Sequence, residues 1–249
     1  MSIQVLGAIQ SNYIPWKGYF DFIHESDLFV FYDDVDYTRK DWRNRNKIKT
    51  PQGTCWLTIP VRPPVGQLIC EVEIADHQWQ AEHWKSIRHY YGKAPFFSLY
   101  QPFFEDFYCH HQWTNLSELN QYLITKISQD LLGIRTEFAD SRSLKLQGQK
   151  LDRVLDMVRK VNCSTYLIGP AARSYMDSAR FDEIGVALSW KDYSGYPEHP
   201  QFFPPFEHGV SILDLLFHTG PQAVDYIWGS RRVRGGEPAQ DMQASREER

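Results

Sequence analysis

The sequence predicts an α/β protein: a mostly parallel sheet flanked by helices, with a helical, aromatic-rich middle section. Three observations lead there. Short apolar runs at residues 3–8, 28–32 and 164–168 each stop abruptly at polar or Gly-Pro residues, as strands do. Segments of helical periodicity alternate with them, the pattern of βα units. The run Leu28–Tyr32 is continuously apolar rather than alternating, which suits a strand covered on both faces.

The first element is a strand built on Ile3, Val5 and Leu6, followed by a loop with Gln10, Ser11 and Asn12. Pro15 suits a first helical turn, where its missing N–H costs nothing, and Trp16, Tyr19, Phe20 and Ile23 then recur at helical spacing. The second strand, Leu28–Tyr32, delivers Asp33 and Asp34 at its carboxyl end. Residues 55–61 and 68–74 read as further strands, compatible with a hairpin through Pro60, Pro63, Pro64 and Gly66. Residues 77–91 place Trp79, His83, Ile87, Tyr90 and Tyr91 on one helical face, and Gly92 ends it. The helical middle is expected from Pro102 to about Leu132, with Asn115 as an N-cap before Leu116, Leu119, Leu123 and Ile127. Helix 148–161, packing through Leu151, Val154, Leu155 and Val158, leads into strand 164–168, which stops at Gly169-Pro170. Ala187–Trp190 is another short strand, and Ser211 and Asp214 open a last helix that Gly220-Pro221 closes. From 231 to 249 apolar periodicity disappears, which predicts a disordered tail behind a single domain of residues 1–230. No internal repeat is present.

With 42% hydrophobic and 15% aromatic residues, the 249-residue chain can bury a core without staples. A net charge of −4 gives no bulk attraction to polyanions, so nucleic acid and membrane surfaces are not expected partners and any anion site must be local. Cys55, Cys70, Cys109 and Cys163 lack metal or C-x-x-C spacing and are expected to be buried free thiols. No signal peptide is legible at the start and no run approaches the roughly eighteen apolar residues of a membrane span, so a cytoplasmic protein is expected.

The strongest chemical signal is residues 39–49, RKDWRNRNKIK, with six cations and one acid in a chain that is acidic overall. Arg43 and Arg45 can grip a phosphate or carboxylate bidentately, Asn44 and Asn46 add neutral donors and acceptors, and Trp42 adjoins them. A charged surface turn is the competing explanation. Gln10, Asn12 and Tyr13 lie where a strand-to-helix loop meets anions, with Lys17 and Gly18 a turn further in. Asp33 and Asp34, followed by Tyr37, could accept a proton, bind Mg²⁺ or form an internal ion-pair network. Trp56, Trp79, Trp84 and Trp113 are expected in packing roles, and Lys191–Tyr193 either close the cleft or form a surface turn. The nine histidines show no ligand spacing, so no protein-held metal site is expected. The Gly-rich and serine-elbow motifs of P-loop, dinucleotide-binding and α/β-hydrolase enzymes are absent.

The ordered pieces Gln10-x-Asn12-Tyr13-x-Pro15-x-x-Gly18-Tyr19-Phe20, Asp27-x-Phe29-Val30-x-Tyr32-Asp33-Asp34-Val35-x-Tyr37 and Trp42-x-Asn44-Arg45-Asn46-x-Ile48 resemble the opening of the WbqC-like family. The likeness continues through Gly148-Gln149, Thr165–Gly169 and Ser211–Leu216, to about Gly220. It implies work in bacterial surface-polysaccharide or specialised pathways, and a fold similar to Rossmann-like or nucleotidylyl-transferase-like sheets. Those transferases carry histidines in the first loop; Gln10, Asn12 and Gly18 stand there instead. The expected function is transfer or ligation of an acyl or aminoacyl group onto an amino sugar or similar acceptor from a phosphate-bearing donor. A non-catalytic nucleotide-sugar-binding accessory role is the alternative. ATP or a nucleotide-sugar with Mg²⁺ is the cofactor class this leaves open, a small anionic substrate the partner, with room for a homo-oligomer.

Overall fold

The computed structural model describes residues 3–229, apart from 64 and 175; the tail expected from 231 onward lies outside them. Strand β1 (Val5–Ile9) leads through helix α1 (Lys17–His24) to β2 (Leu28–Phe31), which pairs parallel with β1. A hairpin of β3 (Arg45–Thr50) and β4 (Gly53–Thr58) follows, then α2 (Gln78–Tyr91), α3 (Phe97–Glu105) and α4 (Leu116–Lys126). Strand β5 (Glu137–Asp140), α5 (Lys150–Val161), β6 (Thr165–Ile168), α6 (Ser178–Asp182), β7 (Ala187–Trp190) and α7 (Ile212–Thr219) complete the order. The main sheet is five-stranded, all parallel, in the order β5-β2-β1-β6-β7.

Both faces of this sheet are covered, as its continuously apolar strands require. Phe29, Phe31 and Leu167 face a large aromatic core with α1, the helical middle and α7. Leu6, Val30, Tyr166 and Ile168 face a smaller aliphatic core with Leu155, Met157 and Val158 of α5 and Phe181 of α6. Helix α1 sits very close to β1: a methyl group on Gly7 would come within 2.3 Å of Ser26 Oγ and 2.6 Å of Phe22. Only glycine permits that approach.

The expected elements at both ends of the chain form, and the Asn115 side chain caps α4 by accepting from Glu118 N–H at 3.0 Å. The middle differs. Residues 55–58 pair not with 68–74 but with Arg45–Thr50, antiparallel across a two-residue turn. The reason is local: Asn46 and Ile48 point inward while Arg45 and Lys47 point outward, a period of two hidden inside the cationic run. Residues 69–71 form a short 3-10 turn flanked by isolated bridges, not a strand. Helix starts at Phe97 rather than Pro102, which sits inside α3. Strand β5 was not foreseen; it is a four-residue edge strand, too short to show periodicity. Cys55 and Cys109 are exposed rather than buried, and only Cys163 is buried. Among the described residues, no helix is long and apolar enough to cross a membrane.

Candidate functional site

Strand order decides where to look. The crossover leaving β1 runs through α1 on one face, and the one leaving β6 runs through α6 on the other. The chain therefore diverges between β1 and β6, and such switch points form ligand crevices beyond the strands' carboxyl ends. Gln10 and Asn12 follow β1 there, and Gly169 follows β6.

Arg43 reaches the same place from the loop before β3. Its guanidinium donates to Asn12 Oδ1 and, at 3.1 Å, to Gln10 Oε1. Its side chain is 12% exposed, and its nearest carboxylate is Asp41 at 3.6 Å. Arg43 Nε is buried with no partner. Arg43 is thus held by two neutral amide oxygens and an ion pair to Asp41, with one buried N–H left unmet. The Tyr19 hydroxyl donates to Gln10 O at 3.0 Å. Burial, then the nearby Asp33 charge, pushes it well above the ordinary tyrosine range, with Arg43 opposing. Tyr193, following β7, brings its hydroxyl within 3.8 Å of where a Gly169 side chain would begin, and burial pushes that hydroxyl up as well. Both phenols are therefore neutral hydrogen-bonding groups at neutral pH.

The WbqC-like protein family matches residues 10–226. The chain belongs to this family. A protein of Mycobacterium tuberculosis (strain ATCC 25618 / H37Rv), described as uncharacterized, is 42% identical over 224 residues, 89% of this chain and 96% of its own. No solved structure matches.

In this WbqC-like chain the other sequence-predicted residues divide into two groups. Tyr13 turns inward: fully buried, its hydroxyl lies 2.9 Å from His83 Nδ1 and meets Tyr108 OH. Asn46, 2% exposed, donates to the carbonyls of Tyr13 at 3.1 Å and Ile14 at 2.9 Å. Ile14 is held at φ 35°, a left-handed conformation that costs a β-branched residue of order 1–3 kcal/mol, so Asn46 fixes a strained turn in the site loop. Gly18 is required by contact, because a methyl group there would meet the Trp16 ring at 2.3 Å. Lys17 is buried beneath the loop that follows β7, donating to Pro197 O at 2.9 Å.

The aspartates are held by the fold. Asp33 is fully buried; it accepts from Ser11 N–H at 2.7 Å, from the Ser117 hydroxyl, and from Gln121 at 3.2 Å. Asp34 accepts from Ser141 and pairs with Arg153 of α5, away from Arg43 and Arg45. Every oxygen of the two carboxylates thus already accepts at least one hydrogen bond or ion pair from the protein. Among the described residues no His, Cys, Asp and Glu cluster has metal-holding geometry.

Arg45 donates to Lys40 O and lies 4.3 Å over the Trp56 ring, which sits 5.3 Å from Trp42. Both tryptophans are about two-fifths exposed, Trp42 at 41% and Trp56 at 40%, so Trp56 is half-buried rather than in the core. Tyr37 stands beside these arginines: burial and then Asp41 raise its hydroxyl, while Arg45, Arg39 and Arg43 oppose. Asn44 lies behind, donating to Ile59 O at 2.8 Å.

Helix α4 supplies support that sequence reasoning missed. Asn120 donates to Arg43 O at 2.8 Å and Ser11 Oγ at 3.4 Å, while Ser117 and Gln121 hold Asp33. The signal was there: Ser117, Asn120 and Gln121 follow the i, i+3, i+4 spacing of one helical face, interleaved with Leu116, Leu119 and Leu123. Larger concavities of about 530 and 780 Å³ lie at the opposite edge, around Gln4 and Ser164 and around Gln4, Asp27 and Arg135. They flank strand amino ends and gather none of the groups above, so the carboxyl edge is the candidate site despite its smaller hollows.

Proposed function

We propose that the carboxyl edge between β1 and β6 holds a phosphate-bearing, nucleotide-activated donor. In this reading the protein transfers the donor's acyl or aminoacyl group to an amino sugar or similar small acceptor. The observation that carries this is Arg43: a guanidinium with one buried N–H unmet, 12% exposed, centred on the switch-point loop and aimed by Asn12 and Gln10. Tyr19 and Tyr193 would orient the ligand's neutral oxygens. With Asp33 and Asp34 both engaged by the fold, catalysis would come mainly from positioning, which can supply a large part of a barrier. Family membership fits a biosynthetic role of this kind in bacterial surface-polysaccharide or specialised-metabolite pathways.

A transferred acyl group requires the acceptor amine to lose a proton, and Asp33 and Asp34 are both occupied. That favours one second reading, a non-catalytic nucleotide-sugar-binding protein of the same pathway. The deciding experiment measures binding of ATP and a nucleotide-sugar panel by calorimetry, together with product formation from paired donors and amino-sugar acceptors. Arg43→Gln should weaken the bound ligand at least about tenfold, and Arg45→Ala should weaken it too. Binding that is unaffected by Arg43→Gln refutes both readings; binding without any product selects the second.

A further inference from the structure

A separate hollow of about 330 Å³ opens beside the hairpin, lined by Tyr37, Arg39, Lys40, Asn44, Arg62 and Pro63. Three cations line it and no carboxylate does. Arg39 donates to Pro63 O at 3.2 Å, which fixes its guanidinium at the rim.

Asn44 carries the second, independent observation. It is 7% exposed, and its Nδ2 donates to Ile59 O at 2.8 Å, so the amide cannot turn over without losing that bond. Its Oδ1 is buried and has no partner. An unmet buried acceptor costs on the order of 1–3 kcal/mol, and what meets it must be a donor. The hollow thus combines cations that want an anion with one acceptor that wants a hydroxyl or amine. Its volume is at the low end for small-molecule sites, roughly 300–1,000 Å³, and fits a phosphate with one sugar ring rather than a whole nucleotide.

We infer that this hollow is a binding subsite for a phosphorylated sugar or polyol, the phosphate on Arg39, Lys40 and Arg62 and a hydroxyl donating to Asn44 Oδ1. The inference stands on residues other than Gln10, Asn12 and Arg43, and holds whether or not the protein transfers a group. A net charge of −4 and a hollow of only about 330 Å³ favour a small molecule over a nucleic acid strand.

The test titrates the full chain with glucose 1-phosphate, inorganic phosphate and glucose, read by calorimetry and by NMR shifts. Glucose 1-phosphate should saturate below roughly 10 mM, more tightly than phosphate or glucose alone. The double variant R39Q/R62Q, both arginines lying in surface loops, should weaken it at least about tenfold, and by more than R43Q does. The inference is overturned if glucose 1-phosphate does not saturate, or if phosphate alone binds equally well. It is also overturned if R43Q weakens binding and R39Q/R62Q does not, an outcome that would place the anion at the carboxyl edge and leave the proposed donor site intact. Preferential, steeply salt-dependent binding of a single-stranded oligonucleotide would overturn it in favour of nucleic acid.

Discussion

Replacing Asn46 tests whether the site loop is held in a strained shape by one side chain. Asn46 donates two hydrogen bonds, to Tyr13 O and Ile14 O, and accepts one from Lys47 N–H at 2.8 Å. Asn46→Ala leaves two buried carbonyls without these donors. At about 1–3 kcal/mol for each unmet group, the loss is roughly 2–6 kcal/mol, a large share of a typical stability of about 5–15 kcal/mol. For a chain of this size that corresponds to a fall in Tm of roughly 4–24 °C, at about 2–4 °C per kcal/mol. Asn46→Asp is the sharper version. It keeps an acceptor for Lys47 but sets a carboxylate against two carbonyl oxygens, so it should be at least as damaging as Ala. The assay is thermal melting followed by circular dichroism, with urea titration to confirm. If Asn46→Ala melts within about 1 °C of the unaltered protein, or Asn46→Asp melts well above Asn46→Ala, the clamp is not what holds Ile14 at positive φ.

Other outcomes follow from the same contacts. Asp33→Asn puts an amide where Ser11 N–H, Ser117 and Gln121 all donate, and should destabilise by about 1–3 kcal/mol in urea titrations; loss of ligand binding with unchanged stability would instead assign Asp33 to the ligand. Gly18→Ala drives a methyl group into the Trp16 ring and should cost about 1–3 kcal/mol with a changed tryptophan emission, since Trp16 packs 5.5 Å from Tyr193 and 5.7 Å from Tyr196; an unaltered spectrum and Tm would contradict that packing. Burial lowers His83 from the ordinary 6.5 to about 4, so the unfolded chain takes up the proton first. Its contribution is complete above about pH 6.5 and is lost as pH falls toward 4, by up to roughly 3 kcal/mol. Urea stabilities measured between pH 7 and 4.5 should fall less steeply in His83→Gln, and parallel slopes would rule the mechanism out.

Legibility in the sequence tracked how local each determinant is. Strands β1, β2, β6 and β7 could be read because each is a short apolar run closed by a chemical stop, and α5 because Leu151, Val154, Leu155 and Val158 share one face. Strand β5 could not, since its four residues owe their conformation to pairing with β2, a contact 109 positions away at Leu28 and Glu137. The hairpin was masked by its own charge: Arg45 and Lys47 drew attention to chemistry, while Asn46 and Ile48 between them carried the structural period. For the site, residue type indicated where to look but not which way each side chain turns. Gln10, Asn12 and Arg43 do meet at one point, yet Tyr13 and Asn46, from the same motifs, turn into the core to hold that point in place. Asp34 meets Arg153, a residue 119 positions on that no local pattern links to it. The sheet order explains the split. Loops that leave neighbouring strands at a switch point must both present groups outward and anchor themselves inward, and alternate residues of one short motif have to do both jobs. In this protein the outward set is Gln10, Asn12 and Arg43, so a ligand that binds should perturb those three before any of the inward residues.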